Sequence, residues 1–178
     1  RDGNGLVLDD VEVKGALNLQ SGGALTQAAG KKVSVTAGPT AIAAQAEDVT
    51  TTPQNIALNN VDGNGNGVND LKSLTVVRAQ DVSVADANAL ELGNVNAKGS
   101  LTVKTGGSLT QAAGTAVNAG GASQLTAKSA AGVAQAIELK NANDFASVQV
   151  DGAGVSLVDK NGVTVGGKAT TLEVNAGA

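Results

Sequence analysis

The chain has 178 residues, 42% of them apolar, and a net charge of −4. Phe145 is its only aromatic residue, and Trp, Tyr, Met, Cys and His are absent. This composition excludes a disulfide framework, a thiol nucleophile, histidine-based catalysis and a basic nucleic-acid footprint, and no apolar run approaches the roughly 20 residues of a membrane span.

In chain order, the predicted elements are short apolar–polar–apolar segments. The first are 11–13, 17–19, 25–27, 33–35, 56–58 and 74–76. They continue at 82–84, 90–92, 101–103, 109–111, 125–127 and 137–139, and end at 148–150, 155–157, 163–165 and 172–174. Alternation of Val, Ile, Leu and Thr marks β-strands. Starts at 74, 82, 90, 101, 109, 117 and 125 keep a beat of about eight, and Gly, Asn or Asp fills the gaps. The Ala-rich stretches 41–46 and 129–136 read as irregular connections or short helical turns. A core of Val, Leu, Ile and Ala without large aromatics suits a thin tube better than a wide globule.

The chain also repeats itself. GALNLQSGGALTQAAG at 15–30 returns as GSLTVKTGGSLTQAAG at 99–114, an offset of 84 with ten of sixteen positions identical. QNIALNN (54–60) answers QAIELKN (135–141) at an offset of 81, and NDLKSLTV (69–76) answers NDFASVQV (143–150) at 74. DVSVADANALELG (81–93) answers GVSLVDKNGVTVG (154–166) at 73. The module is therefore about 80 residues, with copy one near 11–94 and copy two near 95–178. Evenly spaced short strands fit an antiparallel sandwich or a parallel β-solenoid, and a long-period repeat favours the solenoid. The expected fold is all-β: one domain over 1–178, a right-handed parallel β-helix of about seven coils. Three strands per coil would stack residues about 25 apart, giving a rod roughly 35 Å long.

The run GSLTVKTGGSLTQAAG, followed by NDF, VSLVD and GVTVG, resembles the repeats of filamentous-haemagglutinin-like adhesins, very large bacterial proteins exported by two-partner secretion. The resemblance covers nearly the whole chain and carries no catalytic residue. It implies a right-handed parallel β-helix, secreted or on the outer cell surface, that serves adhesion or reach. A chain opening at Arg1 without any Met is then expected to be an internal stretch of the shaft.

Between the second and third matched segments the offset falls from 81 to 74, so copy one holds about seven extra residues, at DGNGNGVND, 62–70. This stretch fits a calcium loop, D-x-[DN]-x-[DN]-G-x-x-D. Asp62, Asn64 and Asn66 offer side-chain oxygens, Val68 its carbonyl, and Asp70 closes the site. Ser73 stands where a strong EF-hand has a bidentate Glu, so a weak extracellular Ca²⁺ site is expected. The same residues also read as a polar, Gly-rich turn.

Other signals carry less. Asp9, Asp10 and Glu12, like Glu47 and Asp48, are close carboxylates without a His or Tyr beside them, so no enzyme is expected, and Asp9–Asp10 reads as a solvated turn. GNGNG at 63–67 has no following Lys and makes a poor phosphate loop. Lys31–Lys32 reads as a gatekeeper against edge pairing, the Thr run at 50–52 lacks stacked partners, and Phe145 reads as a plug in a coil corner. The expected function is an adhesin shaft segment. It would meet a host or cell-surface receptor or polysaccharide, and neighbouring coils or further copies end to end. The alternatives are a subunit of a self-assembling extracellular filament and a carbohydrate-active β-helix enzyme.

Overall fold

A computed structural model describes residues 4–44 and 52–177. Glu47, Asp48, Thr50 and Thr51 lie outside the described residues, as does part of the 41–46 stretch. The strands of the first half are β1 (Leu6–Leu8), β2 (Val11–Val13), β3 (Leu17–Ser21), β4 (Leu25–Gln27), β5 (Val33–Val35), β6 (Thr40–Ala44), β7 (Ile56–Leu58), β8 (Asp70–Leu71) and β9 (Ser73–Ala79). Those of the second are β10 (Val82–Asp86), β11 (Leu90–Ala97), β12 (Leu101–Thr105), β13 (Leu109–Gln111), β14 (Val117–Ala127), β15 (Ile137–Asp151), β16 (Gly154–Asp159), β17 (Thr164–Lys168) and β18 (Thr171–Ala176). No helix occurs among the described residues, so the molecule is all-β.

The predicted triplets coincide with strands, but three strands lie outside them: β1, β6 and β8. The Ala-rich residues 40–44 are not an irregular connection. They pair along their length with Leu17–Ser21, because Thr40, Ile42 and Ala44 bury one face at period two while small alanines cover the other. The second Ala-rich stretch closes as a small hairpin, with an antiparallel bridge between Lys128 and Ala134.

Among the described residues, every strand-to-strand pairing is parallel, and the strands form two ladders. The first runs β1-β4-β7-β10-β12-β14-β15, with β17 beyond β15. The second runs β3-β6-β9-β11-β13-β15-β16-β18. The chain alternates between them, and one circuit takes it from a strand to its neighbour in the same ladder. Paired residues are 17 apart at Val148↔Val165 and 36 apart at Ser34↔Asp70, a wide scatter about the expected 25. In many circuits a short third strand turns the corner, as β2, β5 and β8 do in a small sheet of their own.

Like side chains stack inside. Leu25, Ile56, Val82 and Leu101 sit in register in the first ladder, and Leu90, Leu109, Ile137 and Val155 in the second. All eight are at most 2% exposed. Leu71 and Phe145, equivalent at the offset of 74, fill opposite corners and are 1% and 2% exposed. Burying each aliphatic side chain contributes about 1.5–3 kcal/mol.

The repeat is not a whole number of circuits. β4 lies in the first ladder, and its counterpart β13 in the second; β3 lies in the second, and its counterpart β12 in the first. From β4 the chain passes β7, β10 and β12, three circuits, and then takes half a circuit more to β13. Each copy therefore advances by three and a half circuits, and equivalent elements of the two copies face opposite sides. The corner strands obey the same exchange. β2, β5 and β8 follow first-ladder strands, whereas 95–97, 117–119 and 144–145 follow second-ladder ones.

The one-residue fall in offset from 74 to 73 is a β-bulge. Ile42 pairs with Val76 and Ala43 with Arg78, so Val77 is pushed outward and is 53% exposed. In copy two, Leu125↔Val150 and Thr126↔Asp151 continue without a shift.

Candidate functional site: paired corner networks and an inserted hairpin

At the corner after the first ladder lies a buried polar cluster. Asn69, 0% exposed, sits beside β8, where its side chain meets three circuits. Its Oδ1 accepts Val33 N–H at 2.8 Å and Gln27 Nε2 at 2.7 Å. Its Nδ2 donates to Leu58 O at 2.9 Å and Ala85 O at 3.0 Å. Gln27 also donates to Lys31 O, and Asn60 Nδ2 to Ala28 O, both at 2.6 Å. Two residues on, Leu71 N–H donates to Asp86 Oδ2 at 2.6 Å, and Asp86 Oδ1 accepts Asn88 N–H at 2.9 Å. Asn88 Nδ2 closes the group on Asp70 Oδ1 at 3.0 Å.

Copy two rebuilds this cluster at the opposite corner. Asn143 Oδ1 accepts Val117 N–H at 2.8 Å and Gln111 Nε2 at 2.7 Å, and its Nδ2 donates to Leu139 O at 3.1 Å and Val158 O at 3.0 Å. Gln111 donates to Thr115 O and Asn141 to Ala112 O. Phe145 N–H donates to Asp159, Asp159 accepts Asn161 N–H, and Asn161 Nδ2 donates to Asp144. Each bond has its counterpart at the sequence offset of its segment. The four matched segments therefore encode one object, a polar staple whose Gln, Asn and Asp join successive circuits where the chain leaves the sheet. Sequence reasoning missed it because its members are 42 and 17 residues apart in copy one. The signal was present as polar identities held in aliphatic surroundings: Gln27/Gln111, Asn69/Asn143, and Asp-x-Asn at both 86–88 and 159–161.

The electrostatics follow from burial. Removal from water pushes the Asp86 carboxyl up to about 6, against its two backbone donors, and the nearby Asp70 charge adds to the rise. Asp144 is held below the usual carboxylate range by Lys160, 2.8 Å away. The copies also share a buried hydroxyl without a hydrogen-bond partner, Thr40 in β6 and Ser123 in β14.

The extra residues of copy one are 61–67. Asn60 and Asn69 correspond to Asn141 and Asn143, so seven residues separate the copies here, and they form a hairpin closed by an antiparallel bridge between Val61 and Gly67. Asp62 shapes its tip. Its N–H donates to Asn66 O, and its Oδ1 accepts Asn64 N–H at 2.9 Å and Asn66 N–H at 2.8 Å. Its Oδ2 accepts Asn66 Nδ2 at 3.2 Å. The bonds from Asn66 hold Asp62 below the usual range, with Lys104 assisting. Gly65 takes φ of 80°, a left-handed conformation that glycine adopts without strain. Lys104 on β12 donates to Gly65 O and ties the hairpin to the ladder.

Of the predicted calcium ligands, Asp62, Asn64 and Asn66 share this tip, with the Asp62 carboxylate already accepting from the other two. Val68 lies past the hairpin, its N–H on Asn60 O. Asp70 belongs to the staple, as Asp144 does in copy two. Among the described residues, no three Asp or Glu side chains gather in a group able to hold a metal ion. A second hairpin, 128–134, stands on the same side with the same turn: Ser129 N–H on Val133 O and Gly132 at φ of 78°. Between them lies an open cleft of about 340 Å³ lined by Asn64, Asn66, Lys104, Thr126, Lys128 and Asp151. Lys128 and Asp151 are paired there at 2.6 Å.

Asp9 and Asp10, near the start of the chain, form a surface pair with Lys31. Asp9 and Asp10 are not merely solvated: both bond Lys31, at 2.8 and 3.0 Å, and Lys31 holds both below the usual range, together with the Asp10 N–H for Asp9 and, first, the Lys32 N–H for Asp10. Exposed pairs of this kind contribute little stability.

An all-β stack with an aliphatic interior, stapled at alternate corners by a duplicated polar cluster, defines a repeat protein. The chain belongs to the family described as Repeats of unknown function (DUF5649), whose model matches residues 1–72 and again 79–151. No curated protein and no solved structure matches the chain.

Proposed function

We propose that the chain is a right-handed parallel β-solenoid of about seven coils, an internal shaft segment of a large secreted or surface-exposed bacterial adhesin. One observation carries this reading. The duplicated Gln–Asn–Asp staple ties backbone groups of three successive circuits to one buried Asn in each copy, which suits a part whose task is to hold length. The aliphatic interior and the resemblance of the repeat to filamentous-haemagglutinin-like shafts support it. The work of such a shaft is mechanical, projecting a binding region away from the cell. Contact with a receptor or polysaccharide, where this segment makes one, falls to the cleft between the hairpins.

Negative-stain microscopy and size-exclusion chromatography test the reading. Monomeric rods roughly 35 Å long support a shaft, from about seven strand spacings, whereas fibres favour the alternative of an end-to-end filament subunit. Depolymerisation of any member of a polysaccharide panel would favour a carbohydrate-active enzyme. For the 62–70 stretch, a weak Ca²⁺ site on Asp62, Asn64, Asn66, Val68 and Asp70 is proposed beside the plain reading of a turn capped by Asp62. Isothermal titration with Ca²⁺ separates them: heat abolished by Asp62→Ala supports calcium, and no heat leaves the capped turn.

A further inference from the structure

The open edge formed by β17 and β18 is unlike the rest of the stack. Leu172 and Val174 of β18 are 52% and 38% exposed, whereas their counterparts Leu101 and Val103 on β12 are each 1% exposed. The difference is one layer of strands: β14 covers β12. The match between β18 and β12 goes beyond composition. LEVNAGA at 172–178 follows the pattern of LTVKTGG at 101–107 and LNLQSGG at 17–23. β18 pairs with β16 as β12 pairs with β10. The exit corner is also the same. Gly177 N–H donates to Asp159 O at 2.9 Å, as Gly106 N–H donates to Asp86 O at 3.0 Å. A Cβ at Gly177 would collide with Lys160 O, as one at Gly106 would with Ala87 O. The chain leaves β18 along the path that, half a circuit later, lays β13 over β11.

We propose that the β17–β18 edge is a docking surface for one further unit of this same repeat, entering in the half-circuit register with a Leu-Thr-Gln strand over β17 and the strand after it over β18. The proposal deepens the solenoid reading and rests on it. The occupant is set by continuity with pairings already present: strands of the β4 and β13 type follow this exit in both copies. A second copy of residues 1–178 does not offer such a strand at its β1 edge, because its β4 lies between β1 and β7. Its exposed end strand β1 occupies the place in the repeat that β17 already fills.

The test extends the protein in two ways. One variant appends residues 108–178 after Ala178, so that Ser108 follows where the pattern requires it. The other appends residues 101–171, equal in length and similar in composition but starting half a circuit out of phase. Hydrogen exchange is read at the amides of residues 172 and 174, with residues 101 and 103 as the internal reference. Slowing by about tenfold or more at 172 and 174 in the in-phase variant alone supports the proposal. No slowing, or equal slowing in both variants, overturns it. Unprotected amides at 101 and 103 in the parent chain would instead mean that the parallel stack itself is wrong.

Discussion

Asn69 uses every hydrogen-bonding position its amide has. It accepts two bonds through Oδ1 and donates through Nδ2 to Leu58 O, to Ala85 O and, at 3.3 Å, to Gln27 Oε1, and three of its four partner residues offer backbone groups on different circuits. Asn69→Leu keeps the volume but leaves Val33 N–H, Leu58 O and Ala85 O buried without a partner, each at a cost of about 1–3 kcal/mol. The variant should lose roughly 3 kcal/mol or more in urea unfolding, and Asn143→Leu about the same, since its bonds are the same. A loss below about 1 kcal/mol for either would show that the staple is ornamental. Asp86 predicts a pH dependence. Its folded pKa of about 6 lies above the unfolded value of 3.8, so folding favours its neutral form. That contribution is fully present below about pH 4 and is lost as pH rises through 6, amounting to about 3 kcal/mol at roughly 1.4 kcal/mol per pK unit. Asp9, Asp10, Asp62 and Asp144 are shifted downward and act in the opposite sense, losing stability as pH falls below about 4. The window between about pH 4 and 6 therefore belongs to Asp86. Unfolding free energy should fall across it in the wild type, while Asp86→Asn gives a flat profile at a lower level, because its amide cannot accept both N–H groups. Equal slopes in the two proteins would remove Asp86 as the cause.

The 61–67 hairpin is an addition to a module that is complete without it, as copy two demonstrates by joining Asn141 to Asn143 through Ala142 alone. Deleting 61–67 joins Asn60 to Val68 and Asn69 in the same way. The staple bonds of Asn60 and Asn69 survive, and Lys104 loses only its hold on Gly65 O. A change of this kind should stay within about 0.5 kcal/mol, a shift of no more than about 2 °C in thermal unfolding. A fall above about 5 °C would mean that the hairpin supports the stack. The hairpin's place was legible in the sequence, because an offset falling from 81 to 74 can only mean inserted residues. Its bounds were not, because NVDGNGNGVND carries the same Asn, Val, Asp and Gly on both sides of the junction and only the pairing of Asn69 with the core separates insertion from module. Strands such as 25–27 and 101–103 were legible from alternation. β6 was not, since TAIAA reads as helix or loop until neighbouring strands supply its partners, and β8 is two residues long. The exchange of ladders left no local trace, because strands on both sides of a thin stack carry the same inward pattern.

That exchange has a consequence at the scale of the whole molecule that a distance measurement can reach. Thr26 and Thr110 are the same residue of the repeat, both in Leu-Thr-Gln. Were the module a whole number of circuits, they would lie on one face, about three to four strand spacings apart. Instead Thr26 sits beside Val7 and Ala57 in the first ladder, and Thr110 beside Glu91 and Glu138 in the second. Thr102 shares the first ladder with Thr26 and lies three spacings away, through β7, β10 and β12, or about 14 Å. The chain has no Cys, so paired Cys substitutions can be spin-labelled without background. Labels at 26 and 102 should report the short separation along one face. Labels at 26 and 110 must add the roughly 10 Å between packed sheets and two outward-pointing side chains, so their distance should be clearly longer although only eight residues distinguish the pairs. Comparable distances would place the two copies on one face and break the half-circuit advance. A longer 26–110 distance makes alternation a property of this chain's repeat: a surface feature carried once per unit recurs on the same side only every second unit, about seven circuits or roughly 34 Å along the axis.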